Sequence, residues 1–248
     1  TQLETMGFPP VQLAHFNEMI LKPHGMILVT GPTGSGKTTT LYGALQKIND
    51  PGKKIITIED PVEYQLGGVN QIHVKPQIGL TFANGLRSIV RQDPDVIMVG
   101  EIRDAETAEI AVQAALTGHL VFSTLHTNDA AGAISRLLEM GVQDYLLSSS
   151  LLGVLAQRLV RRLCSDCRKE VPFTGLEGVA PEMALANGDP LHTIWEAAGC
   201  EACNGTGYLG RVGVFELLPV TADICKLINQ KADANVIRNL AVQQGMRL

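Results

Sequence analysis

Basic residues are in the minority in this chain of 248 residues: 20 Lys and Arg are outnumbered by 25 Asp and Glu, which gives a net charge of −5. Aromatic side chains are also few, with one Trp, four Tyr and six Phe. Proteins that bind nucleic acid through its phosphates usually carry a basic excess, and many also stack bases on aromatic rings. The composition therefore predicts that nucleic acid is not a partner.

Long apolar segments are missing as well. The longest stretch without a formal charge, residues 110–128, contains Gln, Gly, His, Ser, Thr and Asn and is too polar to span a bilayer. The first ten residues include Glu4 and two prolines, where a signal peptide needs a basic start and an apolar run. We therefore expect no direct membrane insertion, and a protein that stays in the cytoplasm or is tethered to a membrane by other proteins. The chain begins without Met, so we expect it to be part of a longer protein.

A series of short apolar runs is present instead. Hydrophobic residues make up 45% and charged residues 18% of the chain, which is typical of a folded protein of one or two domains. Between the apolar runs at 96–99 and 119–123, apolar residues recur with helical spacing, and Asp104 is placed to cap that helix. Strands alternating with helices predict an α/β fold with a mainly parallel sheet, whose carboxyl edge binds ligands. Buried strands are predicted at residues 26–30, 54–58, 96–99 and 119–123.

The second half of the chain changes in character. Residues 146–163 form an apolar run that turns basic, and we interpret them as one long helix. Residues 164–206 are rich in cysteine and glycine and have little periodicity, which indicates a loop-rich insert. A strand at 212–218 and amphipathic helices at 221–230 and 234–244 follow. We expect three parts: an α/β core at 1–160, a cysteine-rich subdomain at 161–206, and a mostly helical C-terminal segment at 207–248.

The segment GPTGSGKT, residues 31–38, matches the phosphate-binding pattern G-x-x-x-x-G-K-[ST]. Glycines let the backbone N–H groups of such a loop converge on phosphate oxygens, and the following helix adds the positive end of its dipole. Lys37 is placed to reach the β- and γ-phosphates, and Thr38 to bind Mg²⁺. The sequence therefore predicts a site for ATP and Mg²⁺ formed by Gly31, Pro32, Thr33, Gly34, Ser35, Gly36, Lys37, Thr38 and Thr39.

Hydrolysis of a nucleotide also needs carboxylates near the phosphates. The strand at 96–99 is followed by Gly100 and Glu101, so Glu101 has the position of a Walker B acid beside Mg²⁺. Many P-loop enzymes have an aspartate where this chain has Gly100. A second acidic segment, EDPVE at residues 59–63, follows another strand and ends at Glu63. This segment is either part of the site or a solvated acidic turn.

Histidines and arginines supply further candidates. His119 and His126 flank a predicted strand, and a histidine in such a place is as often structural as functional. A histidine beyond the strand, such as His126, could sense the γ-phosphate as a neutral donor. Arg87 and Arg91 share a helix face. They are either cations that reach a neighbouring subunit's nucleotide or surface cations that pair with the aspartates following them.

Four cysteines form two C-x-x-C pairs, Cys164 with Cys167 and Cys200 with Cys203. Four thiolates suit a tetrahedral structural Zn²⁺ site, and a cytosolic protein is not expected to hold two disulfides. We therefore favour zinc over a redox or disulfide role. Cys225 lies on a helical pattern and is interpreted as a buried core thiol.

Several motifs together resemble the motor ATPases of bacterial secretion systems and pili. After GPTGSGKTTTLY, the segments TIEDPVEY, GLRSIVRQDPDVIMVGEIRD and TGHLVFSTLHTN are similar to the Asp box, Walker B motif and His box of that family. The segments LLSSSLLGVLAQRLVRRLC and GYLGRVGVFEL and the paired cysteines extend the likeness over nearly the whole chain. The chain resembles the C-terminal ATPase domain of type II secretion assembly ATPases. The cysteines match the zinc module of that family and argue against the pilus retraction motors, which lack it.

This resemblance implies a RecA-like P-loop NTPase core that assembles as a hexamer with ATP between subunits and powers pseudopilus growth and protein export. It implies Glu63 as the carboxylate that activates water, Glu101 as the acid near Mg²⁺ and His126 as a sensor. Arg87, Arg91 and Arg211 are implied as cations at the nucleotide or the subunit boundary. The implied partners are cytoplasmic parts of an inner-membrane platform protein and of the protein that recruits the ATPase. The implied location is the cytoplasmic side of the inner membrane.

Other functions stay open at this point. A type IV pilus extension motor has the same chemistry, and the motifs separate it poorly from a secretion motor. A nucleotide switch that does not hydrolyse ATP belongs to a different class, and the three clustered glutamates, Glu59, Glu63 and Glu101, disfavour it. A DNA-translocating motor on the same core is disfavoured by the negative net charge and the few aromatic residues.

Overall fold

The chain divides into two units, and the computed structural model describes residues 2–173, 185–186, 189–190 and 193–248. The first unit comprises Thr1–Leu159 and Gly213–Leu248, and the second comprises Val160–Val212.

Strands and helices are numbered along the chain. The strands are β1 (Gly25–Thr30), β2 (Ile55–Glu59), β3 (Asn70–His73), β4 (Val96–Val99), β5 (Leu120–Leu125), β6 (Leu151–Leu163), β7 (Lys169–Pro172), β8 (Leu185–Ala186), β9 (Asp189–Pro190), β10 (Thr193–Glu196) and β11 (Tyr208–Pro219). The helices are α1 (Pro10–Ile20), α2 (Lys37–Ile48), α3 (Phe82–Val90), α4 (Ala105–Leu116), α5 (Ala130–Glu139), α6 (Asp144–Ser150), α7 (Ala222–Asn229) and α8 (Ala234–Gln243). In the described part of the chain, no helix is both long and apolar enough to cross a membrane.

Seven strands form one sheet in the order β11-β6-β1-β5-β4-β2-β3. β1 pairs in parallel with both β5 and β6, β4 with β5 and β2, and β2 with β3. The successive strands β1 and β2 are therefore not neighbours, since β5 and β4 lie between them. Parallel pairing requires a crossover between strands, and helices lie in these crossovers except between β2 and β3, which residues 60–69 join without a helix. The predicted α/β fold with a mainly parallel sheet is confirmed.

Both faces of the sheet are covered by helices. In β1, Met26 and Leu28 belong to one buried cluster, and Ile27 and Val29 belong to the other. The first cluster includes residues of α3 to α8, whereas the second includes residues of α1 and α2. A strand buried on both faces has apolar side chains at successive positions. This explains why the central strands are short apolar runs in the sequence without alternation.

Most of the predicted elements are confirmed. The four predicted strands are present, the one at 96–99 with the predicted ends and the other three with ends shifted by at most two residues. Asp104 caps α4 by accepting a hydrogen bond from the Thr107 N–H at 2.8 Å. The strand at 212–218 lies within β11, and the two C-terminal helices are α7 and α8. Local pattern was sufficient for these elements because each is an amphipathic helix or a short buried strand with clear ends.

The predicted helix over 146–163 is wrong over most of its length. α6 ends at Ser150, and the next residue begins β6, which pairs in parallel with β1. A continuous apolar run has no period that separates a buried helix from a buried strand. Gly153 was a signal against a helix, because glycine is unfavourable inside one. In β6 this glycine leaves room for Met19, whose sulfur lies 2.6 Å from where a Cβ would be.

The described part of the second unit has little hydrophobic core. β7 pairs antiparallel with β10, and β8 with β9. The guanidinium of Arg161 lies 3.9 Å from the ring centroid of Tyr208, and that of Arg168 lies 4.4 Å from Trp195. Among the described residues of this unit, those that are buried are Cys164, Cys203 and Gly207. The cysteines therefore occupy the place that apolar side chains have in the first unit.

Replacing Phe16 by alanine tests the packing of α1. Phe16 is fully buried and stacks on Phe8 at 5.6 Å, and Phe8 stacks on Phe215 at 3.7 Å. Because the substitution leaves a cavity, we expect the free energy of unfolding in urea to fall by about 3–5 kcal/mol. The control Val11→Ala, on the same helix at 66% exposure, should change it by less than about 0.5 kcal/mol. A loss below about 1 kcal/mol for Phe16→Ala would show that α1 does not contribute to the core.

Candidate nucleotide site and cysteine cluster

The predicted phosphate loop connects the end of β1 to the start of α2. Gly31, Gly34 and Gly36 have φ angles of 144°, 76° and 87°, which residues other than glycine rarely adopt. Space is also limiting: a Cβ on Gly31 would lie 2.2 Å from the carbonyl oxygen of Gln157, and one on Gly36 would lie 2.9 Å from its Nε2. The path of the loop therefore requires glycine at the two positions that the motif specifies.

Lys37, the first residue of α2, extends its ammonium group over the loop. Its Nζ donates to the carbonyl oxygens of Gly31 at 2.8 Å and Pro32 at 3.1 Å, and the residue is 9% exposed. Burial lowers the pKa of this ammonium group, and the negative charge of Glu101 acts in the opposite direction. A buried cation held at the mouth of the loop is suited to phosphate oxygens.

The other loop residues also fit a nucleotide phosphate. The Ser35 hydroxyl is buried and has no hydrogen-bond partner within the described part of the chain, which leaves it able to bond to a ligand. Thr38 and Thr39 are half-buried in the first turn of α2, where helix N–H groups lack partners within the helix. Pro32 and Thr33 are exposed. The nine predicted residues thus form one continuous segment, which consists of the loop and the first turn of α2.

The carboxyl ends of four parallel strands meet at the sheet edge that carries this loop. Thr30 is paired with Leu125, and Val99 is paired with both Ser123 and Ile58. In a parallel sheet this alignment places the residues at the strand ends along one edge. The edge therefore carries Gly31 after β1, Glu59 at the end of β2, Glu101 after β4 and His126 after β5.

Glu101 has a side chain only 13% exposed. One carboxylate oxygen accepts a hydrogen bond from Arg103 Nη2 at 2.5 Å, and the other lies 3.5 Å from Nε2 of His126. The hydrogen bond to Glu101 raises the pKa of Arg103. The structure thus places two of the predicted catalytic residues, Glu101 and His126, in contact. Arg103 was missed, because one arginine in a loop carries no sequence signal.

Gly100 allows β4 to approach β2 closely. A Cβ at this position would lie 3.3 Å from both the Cα of Glu59 and the carbonyl oxygen of Ile58. The N–H of Gly100 donates to that carbonyl at 2.8 Å, and its own carbonyl accepts from the Thr124 hydroxyl at 2.7 Å. These contacts give a physical reason for glycine where many P-loop enzymes have aspartate.

The acidic segment after β2 contains two kinds of carboxylate. Glu63 is exposed, and its backbone N–H donates to the Tyr42 hydroxyl at 3.3 Å. Glu59 is only 2% exposed and accepts hydrogen bonds from the Tyr42 hydroxyl and, at 2.5 Å, from the Thr57 hydroxyl. The segment is therefore not a fully solvated turn.

The two histidines at the ends of β5 differ in their surroundings. His119 Nδ1 lies 2.9 Å from the carbonyl oxygen of Ala114 at the end of α4, on the sheet edge opposite the phosphate loop. This contact indicates a structural role for His119. His126 lies at the loop edge and contacts Glu101.

The predicted arginine cations lie on the protein surface. Arg87 pairs with Glu106 of α4 and donates to Asn84 at 3.2 Å, so the expectation that it pairs with the aspartates following α3 is wrong. Arg91 is exposed at the end of α3. Within the described residues, neither arginine forms a hydrogen bond or ion pair with the phosphate loop. Arg211 is exposed in the second unit.

Gln157 is a further residue of the site that sequence reasoning missed. It lies on β6, is 4% exposed, and accepts a hydrogen bond from the Thr40 hydroxyl at 2.7 Å. Its main chain and side chain are the atoms that exclude a Cβ at Gly31 and Gly36. In the sequence, Gln157 could be noticed only as a single glutamine inside an apolar run. Because this run was predicted as a helix, Gln157 could not be placed on a strand beside the phosphate loop.

The four cysteines of the C-x-x-C pairs cluster in the second unit. Their sulfur atoms all lie within 4.8 Å of one another, and three of the distances are 3.8 to 3.9 Å. Four thiolates at about 2.3 Å from a tetrahedral Zn²⁺ are separated by about 3.8 Å, so the cluster fits this ion. None of the cysteines is in a disulfide. Burial acts to raise the pKa of Cys203, but the N–H groups of Cys200 and Gly207 lower it to about 6.

Cys225 lies apart from this cluster, in α7. It is half-buried rather than buried, and its thiol donates to the carbonyl oxygen of Ser148 at 3.2 Å. It offers no ligand to the cluster.

The phosphate loop between β1 and α2, together with an acid that follows β4 on the far side of β5, defines a RecA-like P-loop domain. A family model for "Type II/IV secretion system protein" matches residues 1–248, and the chain belongs to this family of secretion ATPases. It is 55% identical over 239 residues to type II secretion system protein E of Aeromonas hydrophila, covering 96% of this chain and 47% of the relative.

Two further relatives support this membership. The chain is 53% identical over 230 residues to type II secretion system ATPase E of Vibrio cholerae, covering 93% of this chain and 45% of the relative. It is 52% identical over 249 residues to the type IV pilus assembly ATPase PilB of Thermus thermophilus, covering 99% of this chain and 28% of the relative. The chain spans about half the length of the type II relatives.

A solved structure also has this fold. The pilus retraction motor PilT, determined with bound ADP, superposes with a TM-score of 0.67 at 33% identity, covering 100% of this chain and 64% of PilT.

Replacing Lys37 by alanine tests the phosphate loop. Because it removes the buried cation, we expect ATP affinity measured by titration calorimetry to fall by at least about tenfold. The control Lys47→Ala, on the exposed part of the same helix, should leave the affinity within about twofold. Unchanged affinity for Lys37→Ala would contradict the assignment of this loop to nucleotide.

Metal removal tests the cysteine cluster. We expect about one zinc ion per chain by elemental analysis, lost in Cys200→Ser and retained in Cys225→Ser. Chelation should unfold the second unit while ATP still binds to the first, because the metal replaces a core only in the second. Equal zinc content in the two variants would contradict the proposed ligands.

Proposed function

We propose that this chain is the ATP-hydrolysing part of a hexameric motor that powers pseudopilus assembly and protein export in type II secretion. The supporting observation is that the strand register brings the loop with the buried Lys37 and the acid Glu101, whose side chain is 13% exposed, to one edge of the sheet. Membership of the secretion family supports the biological setting.

Binding of ATP follows from the loop. The main chain of residues 31–38 would surround the β- and γ-phosphates, with the positive end of α2 directed at them. Lys37 would exchange its contacts with the Gly31 and Pro32 carbonyls for phosphate oxygens. Thr38 and Glu101 would hold Mg²⁺, which supplies a Lewis acid for the phosphate oxygens.

Hydrolysis needs a base for the attacking water. Glu63 is the exposed carboxylate of the acidic segment, and we assign it this role, whereas Glu59 is committed to buried hydrogen bonds. His126, through its contact with Glu101, would act as the sensor of the γ-phosphate. Both assignments depend on the alignment of the parallel strands, because it brings the segments that follow β2, β4 and β5 to the same edge of the sheet.

Cations from neighbouring subunits would complete the site. Arg87 and Arg91 are exposed on one side of α3, and Arg211 is exposed in the second unit, so each is accessible to another subunit. We propose that they act at the hexamer boundary. The cysteine cluster would hold a structural zinc ion, closed by four thiolates and without a catalytic position.

The proposed partners are cytoplasmic parts of the inner-membrane platform protein and of the recruiting protein, so the motor would be peripheral to the inner membrane. A type IV pilus extension motor is the alternative. It is less supported, because the two type II relatives match at slightly higher identity than the pilus ATPase.

Isosteric substitutions separate hydrolysis from binding. In Glu63→Gln and Glu101→Gln we expect ATP turnover to fall by at least about 100-fold, since each loses a charged oxygen needed in the reaction, while ATP still binds. Turnover is measured by phosphate release and binding by calorimetry. The control Glu139→Gln, an exposed residue of α5, should behave as wild type. Full turnover in both variants would contradict the roles assigned to Glu63 and Glu101, and absence of turnover in the wild type would favour a nucleotide switch over a motor.

A further inference from the structure

A network of hydrogen bonds joins α2, β2 and β3 to the segment that carries Glu63. At its centre is Glu59, whose carboxylate accepts from three neutral donors: the Thr57 hydroxyl at 2.5 Å, the Tyr42 hydroxyl, and Gln71 Nε2 at 3.1 Å. Within the described part of the chain, no Lys or Arg pairs with this 2% exposed carboxylate. The oxygens of this buried carboxylate are therefore satisfied by these three neutral side chains.

Tyr42 connects this buried carboxylate to the Glu63 segment. Its side chain is fully buried on α2, and its hydroxyl accepts the Glu63 N–H at 3.3 Å while donating to Glu59. Burial, and then the hydrogen bond to Glu59, raise the pKa of the phenol. The proton therefore stays on Tyr42, which keeps the hydroxyl as a donor to the carboxylate and an acceptor from the main chain.

Gln71 on β3 completes the attachment. Its Nε2 lies 3.2 Å from the Tyr42 hydroxyl and 3.2 Å from the carbonyl oxygen of Tyr64, and its Oε1 accepts the Leu66 N–H at 2.7 Å. Tyr42 and Gln71 thus form hydrogen bonds with three main-chain groups of residues 63–66, although residues 63–65 are exposed. The contacts fix the backbone of this segment and leave the Glu63 carboxylate accessible.

We propose that Tyr42, held by Glu59, is a positioning residue that sets the main chain of Glu63 for hydrolysis. This rests on the proposed function, in which Glu63 activates the attacking water. Tyr42 lies on the same helix that begins with Lys37, so one rigid element locates both the cation at the phosphates and the segment that carries the base. A displacement of about 1 Å at a reacting group is sufficient to cost up to about 100-fold in rate.

The test is Tyr42→Phe, which removes one oxygen and retains the ring, including its edge-on contact with Tyr64 at 4.7 Å. We expect kcat for ATP hydrolysis to fall by about tenfold or more, with ATP affinity within about twofold, because the phosphate loop is untouched. Tyr145→Phe removes the same atom from an exposed tyrosine of α6 and should match wild type. A fall in affinity equal to the fall in kcat would overturn the proposal.

A second variant and a double substitution make the test specific. Glu59→Gln keeps the shape of the side chain but loses the charged acceptor, so it should reproduce the kcat loss if Glu59 acts through Tyr42. Combining Tyr42→Phe with Glu63→Gln should cost little more than Glu63→Gln alone, since both act on the same group. A multiplicative loss in the double variant would overturn the positioning role.

Hydrogen exchange gives a readout that does not depend on turnover. The backbone amides of residues 63–66 should exchange faster than in the wild type in Tyr42→Phe, and at the wild-type rate in Tyr145→Phe. If Glu63→Gln leaves turnover intact, the proposed function fails and the inference with it. If Glu63→Gln abolishes turnover while Tyr42→Phe changes neither kcat nor exchange, the positioning role alone fails.

Discussion

The register of the parallel strands is the constraint on which the site depends. Because β1, β5, β4 and β2 pair at aligned positions, their carboxyl ends meet at one edge although they lie up to about a hundred residues apart in sequence. A slip of one residue in any pair would exchange the side chains between the two buried faces, each of which packs against its own set of helices. The many buried apolar side chains on both faces therefore also fix the relative positions of the phosphate loop, Glu101 and His126.

Much of the first unit could be predicted from local sequence, whereas the contacts of Gln157 and Tyr42 could not, because they are non-local. The glycines of residues 31–36 specify the loop because main-chain geometry demands them, and Asp104 specifies a helix start for a comparably local reason. By contrast, Gln157 and Tyr42 act on residues distant in sequence, through contacts that no local pattern encodes. Their roles follow only once β6 and α2 are placed beside β1 and β2.

The two units are stabilised by different interactions. The first has extensive buried apolar surface, whereas the second buries two cysteines and a glycine among its described residues. The described part of this small unit has almost no apolar core, and the sulfur spacing of its four cysteines is compatible with tetrahedral metal coordination. The paired C-x-x-C spacing made the cluster of the four cysteines predictable from sequence, although the strand pairing of the unit was not.

The close approach at Gly100 has a consequence for how the site can vary. The Gly100 N–H donates directly to the Ile58 carbonyl of β2 at 2.8 Å, at the point where β4 leads to Glu101 and β2 leads to the segment that begins with Glu59. A Cβ at position 100 would lie 3.3 Å from both the Ile58 carbonyl oxygen and the Glu59 Cα, so any other residue requires a shift of a few tenths of an ångström between these two strand ends. A substitution at this glycine therefore changes the relative position of two acidic segments as well as the stability of the sheet.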